Sequence, residues 1–125
     1  TDLIIRSRRV VTPFVIGAAT VHISGDKVAR IGEWDDVPAG VDLLDAGDSV
    51  VMPGIVDAHV HVNEPGRTEW EGYETATRAA AAGGVTTIVD MPLNSIPPTT
   101  TLAGFEEKLA AAKGKCVVDV AFWGG

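Results

Sequence analysis

The sequence predicts an α/β chain: a β-rich opening stretch, then strands and helices in alternation. Three observations carry that expectation. Residues 1–51 hold short segments that are β-branched or alternate in polarity, separated by turn residues. After residue 52 the pattern switches between apolar runs and helical spacing. Three such runs start at 55, 85 and 116, separated by 30 and 31 residues, the length of one β/α unit.

In the first stretch, residues 3–5, 9–11, 19–23, 27–31 and 42–44 read as strands. Ser24-Gly25-Asp26 closes a hairpin, with Gly25 free to take positive φ. These strands are too few for a complete sandwich, and their open edges need partners. In the second stretch, 55–61 is a strand. Residues 69–82 form a helix with Thr68 as N-cap, Glu71 completing a capping box and Gly83-Gly84 ending it. Residues 85–90 form a nearly apolar strand expected to be covered on both faces. Leu102, Phe105, Leu109 and Ala112 predict a helix burying that face and stopping at Gly114. Residues 116–122 form a third buried strand, and right-handed crossovers make all three parallel. Three strands close neither a doubly wound sheet nor an eight-stranded barrel, so the chain reads as the front portion of something larger.

Composition narrows the function. The 125 residues are 46% hydrophobic and 22% charged with 7 Pro, a packed globular balance. A net charge of −7 argues against sequence-independent nucleic-acid binding, and the short basic cluster Arg6, Arg8, Arg9 is expected to face solvent. No apolar run is long enough to span a bilayer, and the first residues lack a signal-peptide layout, so a soluble, cytoplasmic protein is expected. The single Cys116 cannot form a disulfide within the chain, and as the opening residue of a buried strand it reads as an inert thiol.

The chemistry concentrates in Asp57-Ala58-His59-Val60-His61. Side chains at i and i+2 of a strand share a face, so His59 and His61 project together with Asp57 below them. Two adjacent imidazoles form half of a metal site, and Zn²⁺ suits nitrogen donors. The bland alternative is two histidines bonded to backbone or solvent. Asp57 either orients an imidazole or bonds nearby backbone N–H groups. Trp70 and Tyr73 are at helical spacing and read as core, and His22 as a solvent-facing strand residue.

Residues 51–61 resemble the metal-binding first barrel strand of the cyclic amidohydrolases. Residues 63–72 (Asn-Glu-Pro-Gly-Arg-Thr-Glu-Trp-Glu-Gly), 90–100 (Asp-Met-Pro-Leu-Asn-Ser-Ile-Pro-Pro-Thr-Thr) and 119–125 resemble the allantoinase branch of that superfamily. The resemblance implies the first three β/α units of a (β/α)₈ TIM barrel, residues 52–125, preceded by strands of a small β-sandwich domain, residues 1–51. It implies metal-dependent hydrolysis of a small cyclic amide, allantoin to allantoate in purine catabolism, with two Zn²⁺ per full-length subunit and His59 and His61 on the more buried ion. A homo-oligomer, a tetramer in many relatives, goes with it. Dihydroorotases carry Arg at the place of Asn63 to bind a carboxylate, so a neutral ring is expected here. Asn63, Arg67 and Asn94 lie in loops of the active face as candidate substrate contacts. The bridging Lys, two further His and the catalytic Asp belong, by this resemblance, to strands beyond residue 125. No catalytic base is therefore assigned within the chain, and residues 1–125 alone are expected to be inactive. The alternatives are a hydantoinase, dihydropyrimidinase or dihydroorotase, or a non-catalytic homologue of the same fold.

Overall fold

The computed structural model describes residues 1–125, which separate into two compact units, Thr1–Pro53 and Gly54–Gly125. No helix is long and apolar enough to cross a membrane.

The first unit is a single five-stranded sheet. The segments read as 3–5 and 9–11 are one strand, β1 (Leu3–Val11), irregular between Ser7 and Val10. β1 pairs antiparallel with β2 (Ile16–Ser24), which pairs antiparallel with β3 (Lys27–Gly32) through a hairpin at Gly25, φ 59°. β4 (Asp42–Asp45) and the two-residue β5 (Val50–Val51) both run parallel to β1. Directly paired residues share a face, so Ile4 and Arg6 lie with His22 and Thr20. The segment after β3 covers this face: Thr20 Oγ1 donates to the Glu33 carbonyl at 3.1 Å, and the Arg6 guanidinium stacks 4.4 Å from the Trp34 ring centre. His22 is therefore fully buried, not solvent-facing, with Nε2 3.2 Å from Thr20 Oγ1 and 3.5 Å from Asp36 Oδ2. Arg6 is half-buried and pairs with Asp45 at 2.5 Å. The opposite face is an apolar concavity lined by Ile5, Val21, Ile23, Val28, Ile31 and Met52.

The second unit is a three-stranded parallel sheet, β6 (Ile55–Val60), β7 (Val85–Asp90) and β8 (Asp119–Phe122), in that order. Helix α1 (Tyr73–Ala82) connects β6 to β7, and α2 (Leu102–Ala112) connects β7 to β8. The core is Val62, Tyr73, Ile88 and Ala112, with Phe122 edge-on to both Tyr73 and Phe105. A fully buried Val or Ile contributes roughly 1.5–3 kcal/mol.

Several local expectations are corrected. Helix α1 begins at Tyr73 rather than residue 69: the Glu71 carbonyl is already bonded to Asn63 N–H at 2.9 Å, and Trp70 N–H to the Arg67 carbonyl. Gly72, not Thr68, is the N-cap, and the Glu64 carboxylate accepts from Tyr73 N–H at 3.0 Å. Trp70 thus falls in a turn and is exposed. Helix α2 has the expected end, but Leu102 and Leu109 are exposed while Gly104, Lys108 and Ala112 face inward. The inward turn follows from Lys108, whose ammonium reaches the Asp90 carboxylate at 2.8 Å with neither side chain accessible. Strand β8 starts three residues after Cys116, which follows the turn at 113–115, and no residue of β8 is fully buried. Strand β7 is fully buried only at Ile88 and Asp90.

Candidate functional site

The site is built on the end of β6. Pairing with β7 matches Asp57 to Ile88 and Val60 to Asp90, so three steps along β6 oppose two along β7. Ala58 and His59 occupy the resulting bulge, a device that bends a strand and re-aims its side chains. A bulge also removes main-chain groups from the ladder, and they need other partners. The Asp57 carboxylate accepts from His59 N–H at 3.1 Å, and the Trp123 indole N–H donates to the Ala58 carbonyl at 3.0 Å. Beyond the strand, Val62 N–H donates to Asp90 Oδ1 at 2.9 Å.

The two imidazoles converge. Their centroids are 5.2 Å apart, tilted by 55°, and the Nε2 atoms are 3.3 Å apart. As neutral rings in complementary tautomers they form a hydrogen bond. The spacing also fits a shared ion: two nitrogens at about 2.0–2.1 Å from a tetrahedral Zn²⁺ are about 3.3–3.4 Å apart. In that arrangement both Nε2 lone pairs face the cation and each proton resides on Nδ1. Both rings are exposed at the carboxyl end of β6, the end where barrel sites form. No cluster of three or more His, Cys, Asp or Glu side chains is present, so the chain's own residues make a two-donor half-site.

Asp57 does not bond an imidazole; its carboxylate bonds the main chain. The loop residues fall together instead. The Asn63 carbonyl accepts from Arg67 N–H, and Arg67 Nη1 donates to the Asn94 carbonyl at 3.3 Å while its guanidinium stacks 4.8 Å from the Trp70 ring centre. Asn94 sits at φ 69°, a left-handed conformation that Asn tolerates better than most residues. Gly66, at φ 91°, runs so close to Ile96 that a Cβ would come within 2.6 Å of the Ile96 Cβ. With Ile96 N–H bonded to the Pro65 carbonyl, loops 63–70 and 91–98 are knit together. Asn63 itself is nearly buried, and Asn94 is exposed.

The residue that sequence reasoning missed is Asp90. Its Oδ2 accepts from Tyr73 OH and Lys108 Nζ, each at 2.8 Å, its Oδ1 from Val62 N–H, and its carbonyl from Trp123 N–H at 2.9 Å. Burial, and then the neighbouring Asp90 charge, pushes the Tyr73 hydroxyl far above its ordinary range. The available signal was a carboxylate ending a nearly apolar strand, with a lysine interrupting the next helix.

The sequence pattern of the amidohydrolase family matches residues 50–125. The chain is 60% identical over 123 residues to the mitochondrial allantoinase of Aquarana catesbeiana, covering 98% of this chain and 25% of that protein. It is 55% identical over 125 residues to the allantoinase of Streptomyces avermitilis, covering 99% and 28%. Among solved structures, the L-hydantoinase (dihydropyrimidinase) of Arthrobacter aurescens superposes with a TM-score of 0.85 at 39% identity, over 99% of this chain and 28% of that one. The chain therefore spans about a quarter of the length of the curated relatives it matches.

Proposed function

The chain belongs to the amidohydrolase family, and on that premise we propose that it is the amino-terminal part of a metal-dependent enzyme that opens a cyclic amide, allantoin to allantoate. The observation that carries the hydrolytic reading is the pair of convergent imidazoles, His59 and His61, spaced for one tetrahedral ion. The choice of allantoin rests on the two allantoinases that match nearly the whole chain. The family is generally metal-dependent, and His59 and His61 are the residues that would hold the more buried of two ions, with zinc as the expected metal. A bound divalent ion of this kind polarises a carbonyl and lowers the pKa of water toward about 7.

The chain's own residues hold and orient. With an ion bound, His59 and His61 would present Nε2 to it and carry their protons on Nδ1. Asp57 accepts the His59 N–H and Asp90 is buried against Lys108, and neither is assigned as the group that moves a proton to a leaving nitrogen. The general base is assigned to a residue beyond 125, and with it the remaining ligands. Arg67 joins the two loops beside Asn94, and we assign Asn63, Arg67 and Asn94 to the rim that shapes the substrate end. An amide at position 63 suits a neutral ring.

A free Cys116 and a net charge of −7 fit a reducing, cytoplasmic setting without nucleic-acid partners, although one allantoinase relative is named mitochondrial. We also propose a homo-oligomer, a tetramer, which sedimentation of the full-length protein tests.

The deciding assay compares the full-length enzyme on allantoin, hydantoin, dihydrouracil and dihydroorotate. Allantoin opening should be fastest, should be lost on chelation and should return with Zn²⁺. Replacing His59 or His61 with Ala should cost more than the roughly 100-fold reached by substitutions outside the ligand set. The 39% identity to a hydantoinase supplies the second reading, and hydantoin opened far faster than allantoin would establish it. Full-length protein that binds no Zn²⁺ would indicate a non-catalytic homologue.

A further inference from the structure

We propose that Asp90 and Trp123, neither of them a metal donor, are positioning residues that set the separation of His59 and His61 by clamping the main chain on either side of them. The proposal rests on the reading of these two histidines as donors to one ion.

The bulge in β6 creates the need. It breaks the regular pairing with β7 at Ala58 and His59, and a peptide outside regular pairing is freer to rotate and shift. Side chains pin it at both ends: Trp123 Nε1–H holds the Ala58 carbonyl and Asp57 holds the His59 N–H. The peptide between His61 and Val62 lies beyond the last residue of β6, and Asp90 holds its N–H at 2.9 Å. Each imidazole therefore grows from a Cα flanked by a peptide fixed by a side chain from elsewhere in the sheet.

The clamp is itself fixed. Asp90 Oδ2 is held by Tyr73 from α1 and Lys108 from α2, so the carboxylate cannot swing from Val62 without leaving two donors behind. Lys108 also donates to the Met91 carbonyl at 3.0 Å, and Met91 N–H returns to the Val60 carbonyl at 2.8 Å. Trp123 is tied to the same residue, its backbone N–H meeting the Asp90 carbonyl at 2.9 Å. Metal–nitrogen bonds tolerate displacements of only about 0.2 Å, so the separation of the two Nε2 atoms is a quantity the protein must hold.

The test uses the full-length enzyme stripped of metal, then titrated with Zn²⁺ against a chelator and, separately, with Co²⁺ while the visible spectrum is recorded. Trp123→Phe keeps the ring and deletes only the donor. It should weaken Zn²⁺ binding about tenfold, the lower end of what substitutions beyond the ligands cost, and alter the Co²⁺ band shape. For Asp90, replacement is made together with Lys108→Met so that no charge is left unpaired. Asp90→Leu in that background should lose at least as much affinity as Trp123→Phe, whereas Asp90→Asn, which retains an acceptor for Val62 N–H, should recover it. Far-ultraviolet circular dichroism identifies any variant that fails to fold, and Trp123→Phe decides alone if the Asp90 variants do. A folded Trp123→Phe with parental Zn²⁺ affinity and an unchanged Co²⁺ spectrum would overturn the proposal. His59→Ala retaining parental Zn²⁺ affinity would instead remove the donor reading beneath it.

Discussion

In residues 54–125 the ion pair of Asp90 and Lys108 is closed to solvent, and both Asp90 carboxylate oxygens are bonded. In residues 1–53 the buried His22 leaves Nδ1 without a partner and shares its surroundings with Asp36, which solvent still reaches and which is paired with Arg30. The difference follows from what each cluster holds. Asp90 fastens two helices and the strand that carries the imidazoles, so loss of the Lys108 ammonium leaves a charge stranded in a dry interior. The His22 cluster seals one face of a sheet, and its ion pair, Asp36 with Arg30, stays within reach of solvent.

Hydrogen exchange, followed separately over 1–53 and 54–125 of the full-length protein, is the way to break that comparison. The largest effect should come from Lys108→Met, which strands Asp90 and should destabilise the second unit by roughly 3–5 kcal/mol. Adding Asp90→Asn should recover most of that loss, and a double variant as unstable as the single one would contradict the stranded-charge account. Tyr73→Phe should cost about 1.5 kcal/mol, because it removes one hydrogen bond to a charged group that keeps its ion pair. The same tyrosine sets an alkaline limit. The unfolded phenol ionises near its ordinary value of 10.0 while the folded one keeps its proton, so stability should fall as pH rises above about 10 and fall less steeply in Tyr73→Phe.

In the first unit the effects should be smaller. His22→Leu removes a ring with one unsatisfied nitrogen and should change stability by less than about 1 kcal/mol. A loss comparable to that of Lys108→Met would erase the contrast between the units. The smallest change belongs to the exposed pairs. The Arg30 guanidinium holds Asp36, and Arg6 with the Gly47 N–H holds Asp45, below the ordinary carboxylate value of 3.8. Their contribution is present above that pH and fades as pH falls through the lowered values, so Arg30→Ala should flatten the acid limb of the stability profile measured over residues 1–53.

Much of the site was legible because its signals are local. His59 and His61 at i and i+2 share a strand face, and Asn63, Arg67 and Asn94 follow strand ends, in the loops that the structure knits together. The Ser24-Gly25-Asp26 hairpin and the end of α2 follow from turn and capping chemistry in the same way. Where local rules competed with distant partners they failed: Thr68 and Glu71 form a sound capping box on paper, but the main chain of Asn63 claims the Glu71 carbonyl first. Leu102 and Leu109 give the apolar spacing, yet α2 turns inward on Lys108 because a carboxylate awaits it at the end of β7.

By itself the sequence determined the alternation of strands and helices in residues 54–125, the parallel β/α frame and the histidine pair, since periodicity and i, i+2 alternation act over a few residues. Tertiary structure alone decided the bulge at Ala58 and His59, the burial of His22, and the meeting of Asp90 with Val62, Tyr73 and Lys108. Those depend on partners up to 65 positions apart, and whether a polar group is held or left unsatisfied is settled only when such distant partners come within hydrogen-bond reach.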